Sequence, residues 1–217
     1  MAQTPTSPMA FPLRVIVLGN SGSGKSYLAD ALETLMASVG RPITCVHLDH
    51  VHFDTTQPRL PGVKLVRRSE AEKHALLDAA MQASPHGWVV EGIFGELAAR
   101  CLDTPSVSNP SEVVVVWLSL DWDVCLQRLA HRPNNLGTTA AGTPESIAKL
   151  HQWAADYYTR SDQRSATGHA ALVAAHTGPA VTLRSAESVD RWLAACEAAA
   201  GDVATVTRQW QDEKADF

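Results

Sequence analysis

Short apolar runs alternate along this chain with segments in which apolar residues recur every three or four positions. The runs are short and rich in valine, isoleucine and leucine, so they predict buried strands. They span residues 13–18, 43–48, 88–92, 112–120 and 180–183. The fourth run, EVVVVWLSL, shows no polar alternation, which is typical of a strand covered on both faces. The pattern predicts an α/β fold with a parallel sheet between two layers of helices.

The segments between these runs predict helices. In the first of them, Leu28, Leu32 and Leu35 repeat at helical spacing. Ser69 followed by Glu72 has the sequence of a capping box, and we expect Asp121 and Ser185 to cap later helices. The predicted helices cover residues 26–39, 69–84, 94–102, 121–132, 144–158, 161–175 and 187–200, with a weak break at Gly168.

The order of these elements predicts one domain over residues 1–217, with a core from about residue 13 to residue 200. We expect residues 1–12 to form a loose N-terminal arm, and no element is predicted for the tail, residues 201–217. Residues 134–143 are rich in glycine and threonine, which favours a flexible segment. This segment separates the helix after the fourth strand from the helices before the fifth.

Composition narrows the classes of partner. The chain has 217 residues, 45% of them apolar, and a formal net charge of −5. This charge gives no electrostatic basis for nucleic acid or a membrane surface as the main partner. The four cysteines form no Cys-x-x-Cys pair and three lie in apolar patterns, which favours core residues in a reducing, cytoplasmic compartment. No apolar run is long enough to span a bilayer, the N-terminus lacks a secretory-signal pattern, and the oligomeric state stays open.

The sequence GNSGSGKS, residues 19–26, matches the phosphate-binding P-loop pattern G-x-x-x-x-G-K-[ST] between the first predicted strand and its helix. Backbone N–H groups of such a loop must face phosphate oxygens, and Gly22 and Gly24 leave that approach open. Lys25 is placed to reach the β- and γ-phosphates, and the Ser26 hydroxyl to ligate Mg²⁺. The residues expected to bind ATP are Asn20, Ser21, Gly22, Ser23, Gly24, Lys25 and Ser26.

Two acidic residues follow predicted strands. Asp49 comes after the second strand, where its carboxylate could take the proton of an attacking hydroxyl; the alternative is a turn or cap residue. Glu91 ends the third apolar run, and we expect it to contact the acceptor and to support Mg²⁺ through water; the alternative is a solvated acid. Because parallel strands end at one edge of the sheet, we expect both acids near the P-loop.

Histidines crowd the end of the second strand, where His47, His50 and His52 surround Asp49. Strand alternation separates His47 and Asp49 from the other two, and no cysteine lies at zinc spacing. We therefore predict no structural metal site here and expect His50 and His52 to lie near the acceptor.

Cationic side chains supply the charge neutralisation that phosphoryl transfer needs. Arg67 begins the helix after the second strand's loop, and we expect it to bind the acceptor. Arg128 and Arg132 are four residues apart on one helix face, and Arg160 and Arg164 repeat that spacing after the flexible segment. We expect these four arginines to act on the transferred group; the alternative for each is a solvated surface charge.

Four segments, GNSGSGKS, HLDHVHF, WVVEGIF and VVVVWLSLDWDVCLQRLAHR, together resemble the adenylate-kinase-like P-loop proteins, and among them the small bacterial DNA topology modulation proteins. The resemblance covers about residues 13–195 and implies a P-loop NTPase fold, a three-layer sandwich whose five-stranded parallel sheet has the order 2-3-1-4-5. It also implies a small helical lid over about residues 132–164, and it places Arg128 against the adenine or the phosphates. The implied cofactors are ATP and Mg²⁺.

The sequence favours an enzyme that moves the γ-phosphoryl group of ATP to a small acceptor, such as a nucleotide or a nucleoside. The alternative is an ATP-dependent regulatory switch without small-molecule kinase activity. A GTPase is disfavoured, because no [NT]-K-x-D guanine-reading motif occurs in the chain.

Overall fold

The computed structural model describes residues 12–55, 65–104, 107, 109–131 and 144–212. Strands and helices alternate along these residues. The strands are β1 Leu13–Gly19, β2 Thr44–His47, β3 Gly87–Gly92, β4 Val113–Leu118 and β5 Ala180–Leu183. The helices are α1 Lys25–Ser38, α2 Leu48–His52, α3 Glu70–Gln82, α4 Gly95–Leu102, α5 Trp122–Ala130, α6 Pro144–Ala155, α7 Ala166–Ala175, α8 Ala186–Ala198 and α9 Val203–Asp212. Short 3₁₀ turns lie at Pro110–Glu112 and Asp156–Tyr158.

The five strands run parallel in one sheet of order β2-β3-β1-β4-β5. The central strand β1 pairs Val17 with Glu91 of β3 on one side and with Val116 of β4 on the other. This order and the helical layers confirm the fold class expected from the sequence. Because parallel strands end at one edge, the loop after β1 lies next to the end of β3.

Alternate residues of the strands enter two hydrophobic cores, one on each face of the sheet. In β1, Val15 and Val17 pack with α1, α8 and α9, whereas Ile16 and Leu18 pack with α3, α4 and α7. Every residue of β4 is buried, which confirms that the apolar run without alternation is covered on both faces.

The capping box predicted for α3 is present, and the cap predicted at Ser185 of α8 is also a capping box. The Ser69 side chain accepts a hydrogen bond from the Glu72 backbone N–H, and the Glu72 carboxylate accepts one from the Ser69 backbone N–H. Ser185 and Ser188 form the equivalent pair. Asp121 occupies the N-cap position of α5 as expected, but its side chain makes no cap hydrogen bond. Local sequence therefore set where these three helices begin.

Helix α7 begins later than its pattern predicted, at Ala166 instead of residue 161. The Ser165 side chain caps it by accepting a hydrogen bond from the Gly168 backbone N–H. Gly168 does not break the helix. Its Cα faces the preceding turn so closely that a Cβ would lie 2.3 Å from the Asp162 carbonyl oxygen. Glycine is required there for close packing.

The tail contains a helix that the sequence did not predict. In α9, Val203 and Val206 are buried in the same core as α1 and α8. The Thr207 hydroxyl is also buried and donates to the Val203 carbonyl oxygen at 2.7 Å. The tail up to residue 212 is therefore part of the packed domain.

Two predicted features fall largely outside the described part of the chain, namely the N-terminal arm and the glycine- and threonine-rich segment. Within the described part, no helix combines the length and the apolar character needed to cross a membrane.

Candidate active site at the P-loop

The P-loop packs against α5 so closely that it requires glycine. Gly22 has φ 81° and Gly24 has φ 96°, in the left-handed region that side chains disfavour. A Cβ on Gly22 would lie 2.3 Å from the Cys125 carbonyl oxygen. The loop is therefore held by backbone contact with α5, and its shape depends on residue Gly22 having no Cβ.

Asn20 ties the loop together and joins it to α6. Its side-chain Nδ2 donates to the Ala154 carbonyl oxygen at 2.8 Å, and its Oδ1 accepts from the Ser21 backbone N–H at 2.8 Å. Lys25 Nζ donates to the Asn20 carbonyl oxygen, also at 2.8 Å. Asn20 is 1% exposed. The P-loop and α6, which belongs to the predicted lid, are thus joined by a buried hydrogen bond.

Arg128 lies against the P-loop, where its Nη1 donates to the Ser23 carbonyl oxygen at 3.0 Å. A cavity of about 400 Å³ opens beside it, lined in part by Tyr27, Val189 and Asp190. The second arginine of the predicted pair, Arg132, lies outside the described residues. The structure therefore brings Arg128 to the loop.

Glu91 lies beside the end of the P-loop. Its Oε1 accepts from Ser26 Oγ at 3.2 Å and from His47 Nδ1 at 2.7 Å. Burial opposes ionisation of this carboxyl group. Other interactions outweigh the effect of burial and hold the pKa of Glu91 below its usual value. They are the hydrogen bond with His47, the nearby charges of Lys25 and His47, and the hydrogen bond with Ser26. The site therefore contains a buried carboxylate next to the Ser26 hydroxyl.

His47 is the cationic partner of that carboxylate. Hydrogen bonds with Cys45 and with Glu91 raise the pKa of His47 to about 10, although partial burial opposes this shift. The sequence placed His47 and Asp49 on one face of a strand, but α2 begins at Leu48, so only His47 lies in β2. Because Asp49 lies in a helix and not in the strand, its side chain has different surroundings from that of His47.

Asp49, His50 and Arg67 lie around the helical turn after β2. Asp49 is in the first turn of α2 and is partly buried, and His50 is exposed with its ring centroid 5.3 Å from that of His47. Arg67 is exposed and forms an antiparallel bridge with Phe53. The structure thus brings the expected acceptor residues to the edge of the sheet that also carries Glu91.

An aromatic cluster centred on His52 lies beside this turn. The His52 ring stacks on Phe94, with centroids 4.3 Å apart, and meets the edge of Phe53 at 4.6 Å. His52 is 2% exposed, and within the described chain neither ring nitrogen has a hydrogen-bond partner. Burial, followed by the charges of Lys73, Arg164 and Arg67, lowers the pKa of His52 to about 4. The ring is therefore neutral at pH 7 and surrounded by cationic groups.

Sequence reasoning missed Phe94 and Lys73 as members of this cluster. Phe94 follows β3 directly, and its position after the strand that carries Glu91 is a signal that could have found it. Lys73 is buried and pairs with Glu70 at 2.7 Å, and no local pattern marks a helical lysine as buried.

The equal spacing of Arg160 and Arg164 predicted one role for both, and the structure separates them. Arg164 donates to the Glu96 carboxylate and lies over the Phe94 ring, 4.7 Å from its centroid. Arg160 donates to the carbonyl oxygens of Trp153 and Arg164 at 3.1 and 2.8 Å and covers the Trp153 ring. Arg164 therefore reaches the His52 cluster, whereas Arg160 bonds within its own segment.

A buried hydrogen-bond chain supports the same region and was also missed. Trp117 Nε1 donates to the Tyr157 hydroxyl at 2.9 Å, and His169 Nε2 donates to the Ile93 carbonyl oxygen at 3.0 Å. His169 Nδ1, 2.8 Å from the Tyr157 hydroxyl, is then the acceptor of that hydroxyl's proton. Burial lowers the pKa of His169 to about 4 and raises that of Tyr157. All three of these hydrogen bonds form when His169 is neutral.

Three of the four cysteines occupy core positions, as the sequence predicted. Cys101, Cys125 and Cys196 are buried, but Cys45 is only partly buried at the edge of the sheet. Cys45 is less covered because β2 is an edge strand of the sheet.

Comparisons with solved structures find similar folds at low identity. A gluconokinase from Sinorhizobium meliloti has a TM-score of 0.48 and 19% identity, covering 95% of this chain and 98% of that one. A sugar kinase from Janibacter has a TM-score of 0.49 and 15% identity, covering 89% and 98%. A shikimate kinase from Acinetobacter baumannii in complex with shikimate has a TM-score of 0.45 and 14% identity, covering 83% and 88%. These identities are too low to transfer an acceptor.

No curated protein sequence matches the chain. The family profile described as AAA domain matches residues 15–148, from β1 and the P-loop into α6. Since this match spans more than half of the 217 residues, the chain belongs to the AAA domain family.

Proposed function

We propose that this protein is an ATP-dependent phosphotransferase that acts on a small acceptor. The observation that carries the proposal is the 3.2 Å hydrogen bond from Ser26 to Glu91. It joins the hydroxyl that ends the P-loop to a buried, ionised carboxylate at the end of the neighbouring strand. Phosphoryl transfer needs such a combination of phosphate cradle and metal-binding oxygens.

ATP would bind with its phosphates on the P-loop and the start of α1. The buried Ser23 hydroxyl of the loop has no partner among the described residues, which fits a polar ligand. Lys25 would contact the terminal phosphates. The cavity beside Tyr27 and Arg128 has room for the base, because its volume is about 400 Å³.

The donor set beside the loop fits Mg²⁺. Ser26 would ligate the ion directly and Glu91 would hold it through water, since both offer the oxygen atoms that this cation prefers. When bound, Mg²⁺ neutralises charge that builds up between the β- and γ-phosphates.

The acceptor would bind around α2, with Asp49, His50, Arg67 and Glu91 as contacts. In the proposed step the acceptor oxygen forms a bond to the γ-phosphorus while the bond to the β–γ bridging oxygen breaks, so ADP leaves. Asp49 would take the proton of a hydroxyl acceptor. The exposed Arg67 favours an acceptor with negative charge, so we propose a nucleotide rather than a nucleoside.

We also propose that the protein is adenylate-kinase-like and that residues 132–164 form its lid. Arg132, Arg160 and Arg164 would bring charge toward the phosphates on closure, and Arg128 already lies at the loop. Amide hydrogen exchange tests the lid within residues 144–164. Protection should rise when an ATP analogue and Mg²⁺ are added, and equal exchange in both states would contradict a lid.

A screen of ATP consumption tests the reaction itself. Nucleoside monophosphates, nucleosides, sugars and small hydroxy acids are offered one at a time with ATP and Mg²⁺, and product formation is followed by mass spectrometry. Lys25→Ala should abolish turnover, because the phosphates lose their cationic contact. Lys149→Ala is the matched control, because this exposed lysine pairs only with Glu145 on its own helix among the contacts described.

The outcomes distinguish the proposals. An acceptor-dependent product that Lys25→Ala removes supports the phosphotransferase. ATP hydrolysis that no acceptor stimulates would favour the regulatory switch. With an active acceptor in hand, Asp49→Asn should lower kcat by about 10²–10⁴-fold if the acceptor is a hydroxyl. Unchanged turnover in that variant would point to an acceptor phosphate, which is already ionised.

A further inference from the structure

A second group of ligand atoms lies near the proposed ATP site, between α1 and β2. Asp30 of α1 and Cys45 and His47 of β2 each offer one ligand atom, and these atoms all lie within 4.8 Å of one another. The three residues supply oxygen, sulfur and nitrogen. Such a set differs from the oxygen-only donors beside the P-loop.

The fold brings these residues together for simple geometric reasons. Side chains two positions apart share one face of a strand, so Cys45 and His47 point to the same side of β2. Helix α1 packs against that side, because Cys45 packs against the core that contains the buried residues of α1. The Glu33 carboxylate of α1 accepts a hydrogen bond from the Cys45 backbone N–H at 3.1 Å. The backbone beneath the cluster is therefore anchored to the helix that carries Asp30.

The distance between the Cys45 sulfur and the His47 ring nitrogen matches that of two ligands in a tetrahedral metal site. Cys45 Sγ lies 3.7 Å from His47 Nε2. A zinc ion with bonds of about 2.3 Å to sulfur and 2.0–2.1 Å to nitrogen sets such ligands about 3.6 Å apart. The observed separation is therefore close to that of two ligands sharing one ion.

His47 is also oriented as a metal ligand would be. Its Nδ1 donates to Glu91 Oε1 at 2.7 Å, so the other ring nitrogen, Nε2, is directed to the cluster. In metal sites a ligating histidine almost always gives its second N–H to a carboxylate or a carbonyl, which fixes the ring and its tautomer. Glu91 fills that role here.

We propose that Asp30, Cys45 and His47 bind a divalent transition-metal ion of the zinc type. Three protein ligands leave one tetrahedral position for water or another ligand. Because Asp30 is exposed, that position is accessible from solvent. A thiolate and an imidazole select such an ion against Mg²⁺, which requires oxygen ligands.

The ion would be linked to the proposed ATP site through one residue. His47 bound to the metal through Nε2 still donates from Nδ1 to Glu91, the carboxylate that accepts from Ser26. Metal binding would therefore hold the side chain of Glu91 in place. This link depends on the proposed function, but the metal site itself does not.

Cobalt(II) titration of the full chain under reducing conditions tests the site, since cobalt replaces zinc and a thiolate ligand gives a charge-transfer band. We expect one Co²⁺ per chain with this band, displaced by Zn²⁺ but not by excess Mg²⁺. Cys45→Ala should remove the band. Asp30→Asn, on the exposed surface, should weaken Co²⁺ binding at least about tenfold. Cys196→Ala, a buried cysteine of α8, is the control and should keep the band.

Circular dichroism of each variant shows that its fold is retained, and Asp30→Asn supplies the result if Cys45→Ala does not fold. A wild-type chain without the thiolate band would overturn the proposal. So would a band that persists in Cys45→Ala, or affinity that Asp30→Asn leaves unchanged. These readouts do not use ATP turnover, so the metal site can fail while the phosphotransferase stands.

Discussion

Gly22 and Gly40 have nearly the same backbone conformation but different surroundings. Their φ angles are 81° and 74°, both in the left-handed region. A Cβ on Gly22 would collide with the Cys125 carbonyl oxygen, whereas a Cβ on Gly40 would meet nothing within 4 Å. The pair therefore separates the cost of backbone strain from the cost of steric contact.

We predict that Gly40→Ala lowers the free energy of unfolding by about 1–2 kcal/mol, the cost of the left-handed conformation. ATP-analogue affinity should be unchanged in this variant. Gly22→Ala should lose more stability and most of the affinity, because the P-loop or α5 must shift. Urea unfolding and calorimetric titration measure both quantities. Equal losses in the two variants would mean that contact with Cys125 does not shape the loop.

Glu91 is the residue on which the proposed Mg²⁺ site depends. Glu91→Gln keeps the size of the side chain but removes its charge, so both the Mg²⁺ interaction and the pairing with His47 weaken. We expect the Mg²⁺ concentration for half-maximal binding of an ATP analogue to rise at least about tenfold, or 1.4 kcal/mol. Glu197→Gln, on the exposed face of α8, should leave it unchanged. The same Mg²⁺ dependence in both variants would argue against this role.

At the scale of elements, α9 shows how few residues anchor a helix. Two valines and one threonine of α9 are buried, and the helix lies against β4 and β5 in the core of α1 and α8. Its other positions are largely polar, so its apolar stripe is too narrow for spacing alone to predict a helix. Packing, more than propensity, stabilises such a helix.

We predict that Val206→Ala lowers the free energy of unfolding by about 1–3 kcal/mol, because it removes buried methyl groups and leaves a cavity. Arg208→Ala changes an exposed residue of the same helix and should stay within about 0.5 kcal/mol of wild type. Urea unfolding followed by tryptophan fluorescence measures both. If the two variants were equally stable, α9 would contribute little to the core.

At the scale of the whole molecule, buried neutral histidines couple stability to pH. His169 faces the Tyr157 hydroxyl and the Ile93 carbonyl, with the charges of Lys25, Asp162 and Arg160 nearby. Its pKa of about 4 lies below the value of 6.5 for an unperturbed histidine. Between these values the unfolded chain binds the additional proton, so this contribution to stability is complete above pH 6.5 and falls toward pH 4.

We predict that His169 makes the protein about 2 kcal/mol less stable at pH 5 than at pH 7, beyond the change due to other groups. His169→Gln cannot take up a proton, so its stability should depend less on pH over this range. Urea unfolding of both proteins at the two pH values gives the difference. The same pH dependence in wild type and variant would show that His169 is not the group responsible.

Much of the architecture was predictable from sequence because its causes are local. The P-loop, the five apolar runs and the capping boxes at Ser69 and Ser185 each depend on residues close together in the chain. Side-chain periodicity and helix-cap hydrogen bonds act over a few positions, so their patterns are visible without the fold. The order of the strands in the sheet came from family resemblance, because local periodicity does not specify neighbours.

The tertiary structure decided which side chains meet. Arg164 reaches Glu96 across 68 residues, and His169 reaches the Ile93 carbonyl across 76. Equal spacing gave Arg160 and Arg164 one predicted role, but the path of the chain between α6 and α7 directs them to different partners. Local sequence determined most of the elements and the phosphate loop, because their interactions are short in sequence. The acceptor-side cluster and the Asp30–Cys45–His47 group arise only when the sheet edge brings distant elements close together.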